Sequence, residues 1–198
     1  MGKGRVEAFS DGVIAILITI MVLELKVPAG PTLGALRENV PVLLTYLLSF
    51  VFLGIYWNNH HHMFHATDRV NGAVMWANLH LLFWLSLVPF VTRWMGEYHR
   101  DAVPTAVYGV VLVGAAIAYT VLQAAIIRTQ GPDSRLAMAV ENDIKGKISI
   151  ACSLSAIGLA FVEPWISDAL FVTVALIWLV PDPRIEKVIT PRQESPAQ

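Results

Sequence analysis

The sequence predicts an all-α integral membrane protein with six transmembrane helices in each subunit, because charged residues are scarce and apolar residues form long runs. Of the 198 residues, 56% are hydrophobic and only 15% are charged, whereas soluble domains usually carry about a quarter charged residues. The mean hydropathy is +0.59. About 20 consecutive apolar residues can cross a bilayer as a helix. The net charge of −1 offers no basic surface, so nucleic acid is not an expected partner.

The breaks between the apolar runs define the predicted spans. Pro28 and Gly30 end the first run, because proline cannot continue a helix and glycine favours a turn. Pro89 is expected to kink the third span. Glu163 and Pro164 separate the last two spans, which are predicted to form a tight antiparallel pair. A long polar loop, partly helical, is predicted at 129–147. The six spans are predicted at roughly 7–26, 40–58, 72–95, 103–127, 147–163 and 165–180.

Positive residues predict how these spans are oriented. Ten Lys and Arg residues fall in the segments on the side of the N-terminus, against four in the segments on the other side. Because cytoplasmic segments are enriched in positive charge, both termini are predicted to be cytoplasmic, in agreement with an even number of spans. Residues 1–181 are therefore expected to form one six-helix transmembrane domain, and residues 182–198 a short polar cytoplasmic tail.

The first span has two chemically different faces. With 100° per residue and Ile16 at zero, Thr19, Ile20 and Leu23 all fall within about 60° of Ile16. Phe9 and Gly12 lie on the same face, and Asp11 lies about 140° away. Periodicity alone favours the simpler interpretation that the apolar column packs on a neighbouring helix or lipid while a local partner satisfies Asp11.

A sequence motif at the start of this span gives the column a second interpretation. The segment Arg5-Val6-Glu7-Ala8-Phe9-Ser10-Asp11 resembles the R-x-x-x-F-S-D signature of the endolysosomal potassium channel family, in particular its bacterial members. Tyr56-Trp57 followed by His60-His61 is similar to the end of the family's second helix. Asn78 and Pro89-Phe90 are similar to parts of its third helix. The resemblance extends over residues 5–95.

The resemblance implies a cation channel in which the first helix of each subunit lines the pore. No pore-loop selectivity filter is expected, and the sequence has no T-V-G-Y-G-like segment. By position, the family's narrow point corresponds to Ile16, Ile20 and Leu23, with Thr19 supplying a layer of hydroxyl groups. The bacterial, single-repeat members imply a homotetramer in the inner membrane. Potassium is the expected permeant ion, lipid the other partner, and no cofactor is expected.

Selectivity for potassium over sodium is expected to be weak to moderate. A ring of Leu and Ile side chains offers no ligand to an ion, so a permeating ion must keep its water or lose it at a cost. Potassium holds its hydration shell less tightly than sodium, which favours potassium at such a ring. The same ring can close by dewetting.

The polar signature residues are predicted to form a structural network that holds the first helix against the second and third. A carboxylate within a membrane is costly unless it is paired, and these helices supply matching donors and acceptors. In the alternative interpretation, Arg5 and Asp11 lie at the cytoplasmic interface and contact water. The predicted network residues are Arg5, Phe9, Ser10, Asp11, Trp57, His60, His61 and Asn78.

Other functions have weaker support. His61 and His65 have the i, i+4 spacing of a metal pair, but no set of ligands completes a site, so no metal is predicted. A secondary transporter is the main alternative, although internal repeats and broken helices are lacking apart from the expected kink. A hydrolase is not expected, since G-x-S-x-G and H-E-x-x-H motifs are absent. Small residues such as Gly109, Gly114 and Ala118 are expected to be available for close helix contacts in the assembly.

Overall fold

The computed structural model describes residues 2–140 and 144–179, and regular secondary structure in these residues is entirely helical. The helices are α1 (Lys3–Leu23), α2 (Leu33–Glu38), α3 (Val40–His65), α4 (Gly72–Ser86), α5 (Val88–Glu97), α6 (Ala102–Gln130), α7 (Arg135–Val140), α8 (Ile144–Leu159) and α9 (Pro164–Leu179). The predicted tail, 182–198, lies outside the described residues.

The predicted spans coincide with α1, α3, α4 together with α5, α6, α8 and α9, and the all-α membrane fold is confirmed. Within the described residues, four segments are long and apolar enough to cross a membrane: α1, α3, 72–97 and α6. A shorter apolar helix, α9, follows them. The second span is longer than predicted, because the helix continues through the polar residues after position 58 to His65.

The break within the third span is local and has a sequence cause. α4 ends at Ser86 and α5 begins at Val88, with Leu87 between them. Pro89 has no backbone N–H and its ring obstructs the preceding turn, so the helix cannot continue undisturbed. The helix is interrupted at Leu87, two residues before Pro89, where the sequence predicted a kink. The Thr92 hydroxyl oxygen lies 2.7 Å from the Val88 carbonyl oxygen, one turn after the break.

The longest helix, α6, lies at the centre and contacts α4, α5, α8 and α9. Its glycines permit these close contacts inside the subunit. A Cβ atom at Gly109 would lie 2.7 Å from the Ile157 side chain, and one at Gly114 would overlap the Trp84 indole. Ala118 is fully buried in the same core. These small residues are thus used within one subunit, rather than kept for contacts between subunits.

The last two helices form the expected antiparallel pair. Near the start of α9, the Ser167 hydroxyl donates to the Ala156 carbonyl oxygen near the end of α8, at 2.7 Å. Near the end of α9, the Trp178 indole N–H donates to the Ser149 hydroxyl near the start of α8, at 2.8 Å. The connection predicted at 129–147 is shorter in the structure, because α6 ends at Gln130, followed by Gly131 with a φ of 99°, and α8 begins at Ile144. It contains the short helix α7.

Candidate functional site

The outward face of α1 is the predicted apolar column, and the subunit leaves it uncovered. Leu23 is 81% exposed, Ile16 is 57% exposed and Ile20 is 39% exposed. The opposite face packs against α3, α4 and α5 through buried side chains, which are Val6, Ser10, Ile14, Leu17 and Met21. In a membrane protein, an uncovered face of this kind must meet lipid, another subunit or a pore.

Thr19 adds one polar group to this face. Its side chain is exposed, and its hydroxyl donates to the Ile16 carbonyl oxygen at 2.8 Å. Because the hydroxyl hydrogen is used within the helix, the oxygen lone pairs remain for a partner outside it. Thr19 can therefore accept a hydrogen bond from water or contact a cation, which the neighbouring hydrocarbon side chains cannot do.

A buried chain of hydrogen bonds ties the N-terminal half of α1 to α3 and α4. The Ser10 hydroxyl donates to the Val6 carbonyl oxygen at 2.8 Å, and Nδ2 of Asn78 on α4 donates to the Ser10 oxygen at 2.9 Å. Oδ1 of Asn78 lies 2.8 Å from Nε2 of His60 on α3. Since an amide oxygen only accepts, Nε2 carries the hydrogen. Ser10, His60 and Asn78 are at most 1% exposed.

Two further contacts join α1 to α3 at a more exposed level. The Trp57 indole N–H donates to Oδ1 of Asp11 at 3.0 Å. Nδ1 of His61 lies 3.1 Å from Oε1 of Glu7, and the His61 ring stacks against Trp57 with ring centroids 6.3 Å apart. Glu7 was missing from the predicted network, although its position one turn before Asp11 on the same helix was a usable signal.

Arg5 and Phe9 are the predicted network residues that the subunit does not bring into these contacts. Both side chains are exposed. Phe9 lies on the same uncovered face as Ile16. Among the described residues, no hydrogen bond or ion pair involves the Arg5 side chain. Within one subunit, the charged residues of the motif therefore contact the other helices through Asp11 and Glu7 rather than through Arg5.

The C-terminal end of α1 is fixed by a cluster of four charged residues. Arg93 on α5 pairs with Glu24, directly after α1. Nε of Arg93 is 3.3 Å from Oε1 of Glu97, and Nζ of Lys26 is 2.7 Å from the same carboxylate oxygen. The i, i+4 spacing of Arg93 and Glu97 was visible in the sequence, but its link to Glu24 and Lys26 depends on the fold.

Hydroxyl groups form another polar cluster that sequence reasoning missed. Oγ1 of Thr92 lies 2.7 Å from Oγ of Ser49, and Ser49 lies 3.0 Å from the Tyr108 hydroxyl. The sulfur of Met21 is 4.0 Å from Thr92. Buried hydroxyls need such partners. The cluster joins α3, α5 and α6 next to the C-terminal half of α1, where Met21 contacts it.

The histidine-rich end of α3 does not assemble a metal centre in the part of the chain that the structure describes. No group of three or more His, Cys, Asp or Glu side chains is placed to hold an ion there. The His61 and His65 rings have centroids 6.1 Å apart, and His61 contacts Glu7.

Comparison with known proteins gives concordant matches. Residues 5–89 match the family described as the endosomal/lysosomal potassium channel TMEM175. A protein of Chryseobacterium sp. (strain P1-3), named as a potassium channel, is 53% identical over 187 residues, which cover 94% of this chain and 97% of that protein. A protein of Streptomyces collinus with the same kind of name is 42% identical over 135 residues, covering 64% of this chain and 66% of that protein.

A solved structure matches the whole arrangement of helices. It is the crystal structure of a lysosomal potassium-selective channel TMEM175 homolog from Chamaesiphon minutus. The two chains align with a TM-score of 0.79 and 30% sequence identity, over 90% of this chain and 96% of that chain. The similarity thus includes the last three helices, where the sequence motifs gave no guidance.

Proposed function

The chain belongs to the TMEM175 family of ion channels, and on that premise we propose that it forms a potassium-permeable cation channel lined by α1 of each subunit. One observation supports the proposal. Contacts with α4 and α5 fix both ends of α1, while the column formed by Ile16, Thr19, Ile20 and Leu23 stays uncovered. Because the family consists of ion channels, a hydrolase is excluded.

A central pore requires several copies of the chain. Each subunit supplies one α1, and a single helix cannot enclose a path for ions. We therefore infer a homotetramer, as suggested by the single set of spans and by the family. Four uncovered α1 faces would meet around the axis, so that side chains facing lipid in a monomer would face the pore.

The ring of Ile16, Ile20 and Leu23 is proposed as the constriction. Its hydrocarbon walls provide no ligand, so the cost of removing water decides which ion passes, and potassium loses water more easily than sodium. Thr19 sits between Ile16 and Ile20 and offers oxygen lone pairs at that level. The proposed selectivity for potassium over sodium is accordingly weak to moderate, and a small tightening of the ring would empty it of water.

The polar contacts of α1 are proposed to set the radius of this ring. The Ser10–Asn78–His60 chain and the Asp11–Trp57 contact hold the N-terminal half of α1. The Glu24–Arg93 pair holds its C-terminal end, next to Leu23. Phe9 and Arg5 are proposed to act in the assembly, where neighbouring subunits supply contacts that one subunit lacks.

The channel is proposed to lie in the bacterial inner membrane with both termini in the cytoplasm. This orientation rests on the excess of positive residues on the side of the N-terminus. Residues 1–181 would form the single channel domain and residues 182–198 a short cytoplasmic tail.

Flux through purified protein tests this function. Liposomes that contain the full chain and a potassium gradient, together with a separate path for a counter-ion and no valinomycin, should lose potassium at a high rate. This loss should not require a coupled solute. A secondary transporter, the remaining alternative, would instead saturate at low turnover and depend on a coupled ion. Absence of potassium flux under every gradient would contradict the proposal.

A further inference from the structure

Asp168 on α9 is partly buried, and one oxygen of its carboxylate has no hydrogen-bond partner among the described residues. Its Oδ1 atom is shielded from solvent and accepts no hydrogen bond from any described residue. Asp168 acts electrostatically on Tyr108, whose hydroxyl is already engaged with Ser49 at 3.0 Å. A buried carboxylate oxygen without a partner is costly in a membrane protein, so a donor from outside the chain would stabilise it.

Asp168 lies in a groove that opens sideways between α3 and α9, with Met95 of α5 at its edge. The groove has a volume of about 390 Å³, within the range of roughly 300–1,000 Å³ that is usual for small-molecule sites. Apart from Asp168 and Thr45, whose hydroxyl donates to the Pro41 carbonyl oxygen, its lining is hydrocarbon. Leu44, Leu47, Val172 and Leu176 are exposed along it.

The dimensions of the groove fit one lipid chain. On α9 the lining follows a single face through Asp168, Val172, Leu176 and Leu179, which is a row about 16 Å long at 1.5 Å per residue. Half of the hydrocarbon thickness of a bilayer is about 15 Å. Asp168 stands at one end of the row, so a chain lying in the groove would place its polar end beside the carboxylate.

The depth of Asp168 agrees with a head group at that position. Trp165 is exposed and lies three residues earlier, about 4.5 Å along the helix axis. Exposed tryptophans near the ends of spans sit at the level of the head groups. The carboxylate is therefore just beneath that level, where the nitrogen of a lipid head group can reach it.

We propose that this groove binds an aminophospholipid, phosphatidylethanolamine, with an acyl chain along α3 and α9 and its primary ammonium group on the Asp168 carboxylate. A primary ammonium supplies both the opposite charge and N–H donors, and such charge-assisted hydrogen bonds are the strong ones. The quaternary nitrogen of phosphatidylcholine supplies the charge but no donor. The proposal does not depend on α1 lining a pore.

Lipid retention tests this proposal directly. The full chain is reconstituted in nanodiscs that contain equal amounts of phosphatidylethanolamine and phosphatidylcholine with identical acyl chains, and the retained lipids are counted by native mass spectrometry. Wild type should retain several-fold more phosphatidylethanolamine than phosphatidylcholine. Asp168→Asn should lose that preference. Glu163→Gln, which removes an exposed carboxylate just before α9, should keep it.

A second variant decides the matter should Asp168→Asn not fold. Val172→Trp fills the groove and leaves the charge of the Asp168 carboxylate unchanged. It should lower the amount of retained phosphatidylethanolamine to that of phosphatidylcholine. An unchanged preference in either variant would overturn the proposal, as would equal retention of both lipids by wild type. If a second copy of the chain occupies the groove, Val172→Trp reduces the mass of the assembly and wild type shows no preference, which also overturns it.

Discussion

Leu23 is the side chain whose change most directly alters the proposed constriction. It is the most exposed residue of the α1 column, and it stands next to the charged cluster at Glu24. Leu23→Ala removes branched hydrocarbon from each subunit, so the ring widens and ions pass with more of their water. We expect the potassium preference to fall, which the reversal potential under opposed potassium and sodium gradients measures.

The neighbouring Val22 provides a matched control for this change. It is also exposed, but it lies about 100° away from Leu23 on the helix. Val22→Ala should leave the reversal potential as in wild type. Equal shifts in the two variants, or no shift in Leu23→Ala, would remove Leu23 from the constriction.

Asn78 is the residue on which the buried chain of hydrogen bonds depends, because it contacts both Ser10 and His60. Asn78→Leu leaves those two groups buried without this partner, at a cost of about 1–3 kcal/mol for each. We expect a clear drop in the thermal midpoint of the protein in nanodiscs. Asn58→Ala, which changes an exposed amide on α3, should leave the midpoint nearly unchanged. The same midpoint in both variants would contradict the assigned role of Asn78.

Helix α1 is attached at both ends, and the attachment at its C-terminal end, the Glu24–Arg93 pair, can be released separately. Arg93→Gln removes the partner of Glu24, so the end of α1 next to Leu23 gains freedom. We expect an altered open probability in single-channel recordings. Arg100→Gln, which changes another exposed arginine nearby, should behave as wild type.

A double-mutant cycle separates this pair from general charge effects. If Glu24 and Arg93 act through each other, the double variant Glu24→Gln with Arg93→Gln should be no more affected than either single variant. If the effects of the two single variants simply add, the two residues act independently, and the Glu24–Arg93 pair does not fix the end of α1.

The helices could be predicted from the sequence more completely than the contacts between them. Long apolar runs and prolines at 28, 31, 89 and 164 define the elements by local chemistry. The short helix α2 was missed because six residues leave no hydropathy signal, although Thr32 was a capping signal, accepting from the Ala35 N–H at 3.2 Å. α3 exceeded its predicted end because histidine and asparagine interrupt an apolar run without breaking a helix.

The candidate site could likewise be predicted only in part. The column on α1 follows from helical periodicity alone, since Ile16 and Leu23 repeat on one face. The sequence indicated that Asn78 and His60 could form a hydrogen bond, but it did not indicate the geometry of that contact. The Ser49–Tyr108 contact joins residues 59 positions apart, and nothing local in the sequence marks such a pair.

In the proposed channel, the uncovered faces of α1 from several copies of the chain meet around one axis. A chain of 21.8 kDa should therefore form an assembly of four times that protein mass, measured by light scattering with the detergent contribution subtracted, and cross-linking in native membranes should trap up to four chains. A uniform monomer or dimer in both experiments would contradict a central pore.

If the Ile16-to-Leu23 face of α1 lines the ion path, a cysteine on that face should react with a water-soluble reagent that blocks the current. Cys152 is the only cysteine, so Cys152→Ser gives a cysteine-free background in which Leu23→Cys and Leu17→Cys are compared. A membrane-impermeant cationic thiosulfonate should abolish potassium current through Leu23→Cys. It should leave Leu17→Cys unaffected, because Leu17 is buried against the other helices. Undiminished current in the modified Leu23→Cys channel would contradict the claim.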